Sequence, residues 1–288
     1  VGFNSEIHQK EREIKMSNVE EIVNNPRTTG KILDRYKEDK DNTVRLGVAR
    51  NPNTSPETLD YMKDDENADV RYGVARNSNT TPETLDYMKD DKEWWVRREI
   101  AQNSNTTPET LDYMKDDKDR YVRCEVARNP NTTPETLDYM KNDENIYVLF
   151  ELLENPNVTE EIITELCSHS HDGIRAHAIK LIPLNWVNNF VENNKNLWNS
   201  MDYAYTCEKI LSRKDINNQI WVDFSKHISP IVRCVVAGSR KTPPNTLMSL
   251  LRDTEYLVSK KALQTIHRMI FKNSNKREQF YTALEKVF

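Results

Sequence analysis

Three groups of side chains in this sequence have types and spacings that could do chemistry. The first is arginine. Arg45, Arg71, Arg97, Arg123, Arg175 and Arg233 form one row, and Arg50, Arg76 and Arg128 form a second, with Gln102 interrupting it. Guanidinium groups at fixed spacing can track a phosphate backbone. They can equally brace loops through a carboxylate such as Asp65 or Asp91, and the one-to-one presence of Arg and Asp favours that reading for the first row. The second row has no obvious Asp partner and is the better contact candidate. The second group is aromatic: Trp94, Trp95, Tyr121 and Tyr147 fall beside Arg97, Arg98 and Arg120. Trp, Tyr and Arg are common interface anchors, and aromatic rings with Arg also suit base stacking. The competing reading is drift, with one Trp packing inward. The third group is Cys167, His169, His171, Asp172 and His177. Cys and His suit zinc, but this spacing matches no standard zinc module, so neither a metal nor any other cofactor is expected.

Nucleophile triads and dinucleotide fingerprints are absent, and 6 glycines in 288 residues disfavour phosphate loops. The sequence therefore reads as a non-enzyme, and its organisation lies elsewhere.

What must position these side chains is a tandem repeat. Val-Arg occurs at Val44, Val70, Val96 and Val122, always 26 residues apart, and Val148 and Ile174 continue the register. Asn25, Asn51, Asn77, Asn103, Asn129 and Asn155 run with it, as do Asp39, Asp65, Asp91, Asp117 and Asp143. The register weakens toward the C-terminus but returns at Val232 and Val258, after an insertion between Ile174 and Thr206. Each repeat reads as two short helices. Thr81 is an N-cap, Pro82 fits the first helical position, and Glu83 meets the helix dipole. Leu85 and Met88 share one face, and a second helix carries Val96 and Ile100 at i, i+4. Asp41, Asn67, Asp119 and Asn145 are placed to cap that second helix; Glu93 breaks the pattern. One repeat buries too little to fold alone, so stacking must supply the core. Stacking would also align the residue pairs before each Val into one stripe containing Trp94, Trp95, Tyr121 and Tyr147.

The pattern Val-Arg-x-x-Val-Ala-x-Asn-Pro-Asn-Thr-x-Pro-Glu-x-Leu, almost complete at 44–59 and 122–137, resembles the leucine-rich-repeat variant family. The resemblance implies an all-α, right-handed superhelical solenoid of short helix pairs, like HEAT and armadillo folds. It implies no common activity. The family's iron–sulfur member carries a Cys cluster ahead of its repeats; no Cys precedes Cys124, so that cluster is not carried over. HEAT-like DNA glycosylases use aromatics and one acid in a groove, which Trp94, Trp95 and Asp91 could mimic, but no motif aligns.

The domain plan expected from this is a tail or leader at 1–17, with a native start at Met16 as one reading, and a repeat array at 18–182. An irregular Trp-rich unit follows at 183–205, then degenerate repeats with basic capping helices at 206–288. Trp186, Phe190, Trp198, Tyr203 and Tyr205 read as core of the irregular unit; Phe280, Tyr281, Leu284 and Phe288 read as the inner face of a cap. Four scattered cysteines without a CxxC pair fit a reducing cytoplasm, and no apolar run approaches 18 residues. The net charge of −5 divides unevenly. Residues 1–205 hold 26 basic and 39 acidic side chains, whereas 206–288 hold 15 and 7 and include Lys260, Lys261, Arg268, Lys272, Lys276 and Arg277. The acidic array argues against general nucleic-acid binding there. The leading expectation is a scaffold for a protein or peptide partner, contacted through Trp94, Trp95, Arg97, Arg98, Arg120, Tyr121 and Tyr147 and through Arg50, Arg76 and Arg128. The alternative is a nucleic-acid-binding solenoid that uses the Arg rows and the basic C-terminal section.

Overall fold

The computed structural model describes residues 19–182, 191, 201–213 and 216–272. The expectations for the 1–17 tail, for Trp186, Phe190 and Trp198, for Lys276 and Arg277 and for the 280–288 cap lie outside the described residues. All regular structure among the described residues is helical. Helices run in the order α1 (19–24), α2 (Gly30–Leu33), α3 (Asn42–Arg50), α4 (Pro56–Met62), α5 (Ala68–Arg76), α6 (Pro82–Met88), α7 (Trp94–Gln102), α8 (Pro108–Met114), α9 (Arg120–Arg128), α10 (Pro134–Met140) and α11 (Ile146–Glu154). There follow α12 (Glu160–Leu166), α13 (Asp172–Leu181), α14 (Ala204–Ser212), α15 (Asn218–Phe224), α16 (Pro230–Gly238), α17 (Pro244–Leu250) and α18 (Tyr256–Lys272). The chain parts into two compact units, one ending at Val158 and the other starting at Thr159.

Local chemistry sets the helix boundaries. In α4, α6, α8 and α10 the hydroxyl of Ser55, Thr81, Thr107 or Thr133 accepts from the N–H three residues on, and Pro occupies the first turn. Each cap stabilises its helix by about 1 kcal/mol. Asp41, Asn67, Asp119 and Asn145 cap α3, α5, α9 and α11, whereas Glu93 makes no cap bond to α7. The glutamate's extra methylene carries its carboxylate past the N–H groups that a shorter side chain reaches.

In the first unit the longer helices stack α3 on α5, α5 on α7, α7 on α9 and α9 on α11. Val44, Val70, Val96, Val122 and Val148 are buried in that stack, and Leu59, Leu85, Leu111 and Leu137 of the short helices are fully buried against it. Each such Leu gains about 2 kcal/mol from burial. In the second unit α13 packs on α14, α14 on α16 and α16 on α18. The repeat thus continues through the insertion, with Thr206 standing buried in the Val position.

Two polar ladders lock neighbouring repeats. The Asn51, Asn77, Asn103, Asn129 and Asn155 amides each donate to a carbonyl 28 residues back at 2.6–2.7 Å and to another 26 back at 2.9–3.2 Å. Their carbonyl oxygens also accept from the N–H two residues on. A short polar side chain just after a helix is expected to bond nearby backbone; here two of the three bonds run between repeats. In the second ladder, Arg45, Arg71, Arg97 and Arg123 bond through Nε to Asp65, Asp91, Asp117 and Asp143 at 2.5–2.7 Å. Each also donates to a carbonyl of its own preceding loop. These four members of the first Arg row, and Arg233 on Asp253, are therefore the brace that the Asp pairing suggested, whereas Arg175 is not.

Candidate functional site

Sidedness follows from where each repeat varies. On α7, Trp94, Arg98 and Gln102 lie four residues apart and so share one helix face. In the 26-residue register the same face of α9 carries Arg120, Cys124 and Arg128, with Tyr121 and Glu125 one position further on. At its N-terminal edge the rings meet. Trp94 packs edge-on against Trp95 with centroids 5.9 Å apart and stacks on Tyr121 of the next repeat at 5.4 Å. The Arg120 guanidinium lies 4.8 Å from the Tyr121 ring and 5.7 Å from that of Tyr147, tying a third repeat into the row. Trp94 keeps 36% of its surface exposed, Tyr121 47% and Tyr147 58%. The expected stripe therefore exists as a continuous aromatic–cationic surface over three repeats.

Deeper along the same face the groups are charged. Arg98 donates to Glu125 Oε1 at 3.0 Å, Arg128 to Glu125 Oε2 at 3.1 Å, and Arg128 again to Glu151 Oε1 at 2.6 Å. This alternating chain crosses α7, α9 and α11. Arg128, for which the sequence offers no obvious Asp partner, pairs with Glu125 and Glu151 of the helix face rather than with an Asp of the loop. Arg76 bonds the Tyr72 hydroxyl at 3.0 Å, and Arg50 lies over the Tyr72 ring at 5.7 Å. Arg97 requires a correction. It is only 5% exposed and is spent on Asp117 and the Asp91 carbonyl, so it is not available to a partner. Trp95 is half-buried, and Arg98 and Arg120 remain on the face.

The short-helix side presents a row the sequence reading passed over. Lys37, Lys63, Lys89 and Lys115 each pair with the Asp three residues earlier at 2.7–2.9 Å and lie 4.5–4.8 Å from the rings of Tyr61, Tyr87, Tyr113 and Tyr139 in the next repeat. The carboxyls of Asp34, Asp60 and Asp86 are held below their ordinary range by those lysines and by a Thr hydroxyl of the following repeat. The invariance of Asp-Tyr-Met-Lys between repeats was the available signal. An invariant row serves stacking, whereas the helix face that changes from repeat to repeat can specify a partner.

The Cys–His group has a structural account. His169 Nδ1 accepts from the His171 N–H at 3.0 Å, the role that Asp65 and Asp143 play for Asn67 and Asn145. His227 does the same for Ser229. Burial, followed by the nearby His171 and Arg175, pushes the His169 imidazole below its ordinary value and keeps it a neutral acceptor. Burial drives the Cys167 thiol up to about 12 and the Cys124 thiol up to about 11, so neither offers a thiolate at neutral pH. No disulfide joins any of the four cysteines.

Stacked helix pairs with this repeat define a class of helical solenoid. A solved structure described as a leucine-rich repeat variant with a novel repetitive protein structural motif matches at TM-score 0.58 and 16% identity, over 79% of this chain and 88% of that one. That likeness shows the fold, a leucine-rich-repeat-variant type of solenoid. A solved engineered protein also aligns, at TM-score 0.31 and 14% identity over 92% of this chain and 86% of that chain. No family model matches the chain, and no curated protein matches it. No helix among the described residues is long and apolar enough to cross a membrane.

Proposed function

We propose that the chain is a non-catalytic scaffold that binds a protein or peptide through the variable long-helix face of its first unit. The observation that carries this reading is the exposed row of Trp94, Tyr121, Arg120 and Tyr147, with aromatic and guanidinium groups in mutual contact across three repeats. Such rings bring large contact area at low entropic cost. The surrounding ladders hold that row without using it, since they also run through repeats that lack the row, such as those of Arg45 and Asn51. Four cysteines that form no disulfide support a reducing, cytoplasmic setting.

The test is affinity capture from the native host with wild-type chain and with Trp94→Ala/Trp95→Ala, each from nuclease-treated and untreated lysate. A partner retained by wild type after nuclease and lost by the variant supports the reading; an unchanged catch contradicts it. A nucleic-acid reading has one specific support, the exposed Lys260, Lys261 and Arg268 of α18, with Lys260 5.4 Å from the exposed Tyr256 ring. Its test is a salt titration against short duplex and single-stranded DNA. No salt-sensitive binding tighter than about 10 µM at about 50 mM salt counts against it.

A further inference from the structure

A pocket of about 450 Å³ opens between α5 and α7, walled by Tyr72, Arg76, Arg98, Glu99 and Gln102. Its volume falls within the range of small-ligand sites. Two other pockets of this chain, of about 360 and 500 Å³, are successive copies of one loop arrangement built around ladder arginines. This one is built from positions that differ between repeats, so it belongs to one place in the array.

Glu99 is its unusual member. The residue is 94% buried, and its carboxylate makes no hydrogen bond among the described residues. Burial pushes its carboxyl above the ordinary glutamate range; Arg98 and Arg76 pull it partly back, and Glu125 pushes it further up. The fold does not ask for a carboxylate here: Gly47 and Gly73 hold the same position in two sister repeats. At Glu125 the buried carboxylate is satisfied by two arginines. Glu99 has no hydrogen-bonded arginine among the described residues, and its carboxylate is left to face the pocket.

The groups around it are complementary, and two of them are unspent. Arg98 is committed to Glu125 and Asn103 to the carbonyls of Ala75 and Asn77. Arg76 spends one N–H on Tyr72 and keeps the rest, while the Gln102 amide makes no bond among the described residues. The pocket therefore presents a guanidinium donor, a carboxylate acceptor and an amide that is both. A carboxylate ligand would meet Glu99, and an ammonium or guanidinium ligand would meet Arg76 and Arg98. A neutral group with one donor and one acceptor satisfies both walls. We propose that this pocket binds the carboxamide side chain of an asparagine or glutamine presented by the peptide partner, its NH₂ donating to Glu99 and its carbonyl accepting from Arg76.

This rests on the reading that the long-helix face of the first unit docks a peptide, so the experiment separates the two. The full chain, labelled for NMR, is titrated with N-acetyl-glutamine N′-methylamide and with the alanine, glutamate and lysine analogues, following the Gln102 side-chain amide and the Arg76 Nε–H. The expected result is saturable shifts with the glutamine compound and at least fivefold weaker response to the other three. Glu99→Gly and Arg76→Gln, which install residues already found at these positions in sister repeats, should each abolish the glutamine response. Trp94→Ala/Trp95→Ala should leave it intact while losing the captured partner. Equal response to glutamine and alanine compounds, tighter binding of the charged analogues, or an unchanged response in both pocket variants overturns the proposal. Failure of the titration with continued loss of partner in the Trp variant removes the pocket alone and leaves the docking face standing.

Discussion

The regular repeats of the first unit and the degenerate repeats of the second solve the same stacking problem with different residues. In the first, a buried Asn in every repeat ties two carbonyls of the repeat before it. In the second, that position is Arg213, whose guanidinium donates to the Ile179 and Ile182 carbonyls across the inserted segment. A longer side chain spans a longer connection. The Arg–Asp brace persists where the spacing does, as Arg233 on Asp253 at 2.7 Å. It is replaced where the spacing fails: Arg175 turns to Asp172 at 3.0 Å and lies 3.9 Å from the Tyr203 ring. The turn acceptor alternates between Asp and His. What is retained is a set of hydrogen-bonding tasks rather than a set of residues.

The comparison can be broken most severely at the first ladder. Arg97→Ala strands the buried Asp117 carboxylate and should cost about 3–5 kcal/mol of unfolding free energy. Arg233→Ala, at a wetter pair with its Arg side chain 14% rather than 6% exposed, should cost less. Equal losses in urea titrations would show that burial does not set the strength of the brace. Asn103→Ala leaves the Ala75 carbonyl without its side-chain donor, while the Asn77 carbonyl keeps the Thr80 N–H, and should cost about 2 kcal/mol. Arg213→Ala should cost a comparable amount if it does the same job, and a negligible loss separates the two ladders. Glu93→Asp should add the cap that its sister helices have and stabilise by about 1 kcal/mol, seen as a higher urea midpoint.

The smallest expected effect is on pH dependence. Because Glu99 is raised in the fold, the folded chain holds that proton more tightly than the unfolded chain does. Its contribution to stability is complete below the ordinary glutamate value and is lost as pH rises through the raised one. Glu99→Gln should therefore melt about 2 °C above wild type near pH 8, and the two should converge near pH 4. A constant offset at both pH values rules out titration of Glu99 as the cause.

Much of this was legible in the sequence because tandem duplication prints each structural task many times. Val44 with its copies, the Thr-Pro caps and the Arg–Asp pairing all repeat at 26 residues, and the missing cap at Glu93 shows as a single departure. The Glu99 pocket was not legible. It depends on how far one carboxylate sinks between two helices, and a residue that differs from its copies looks like drift until its surroundings are known. The Arg128 partners were missed for a related reason: Glu125 and Glu151 sit on the helix face rather than in the loop that supplies the acid to the first Arg row. The turn role of His169 was not legible either, because weighing it against zinc left out that an imidazole Nδ1 can take the place of an Asp oxygen in a turn, as it also does at His227.

The central claim is that the ladders make the fold while the varying face makes the contact. Its most direct test is the dissociation constant of the captured partner for wild type and for Trp94→Ala/Trp95→Ala, measured by titration calorimetry at matched unfolding midpoints. The account predicts at least tenfold weaker binding, about 1.4 kcal/mol, with the midpoint unchanged. An unaltered dissociation constant in a fully folded variant would contradict it.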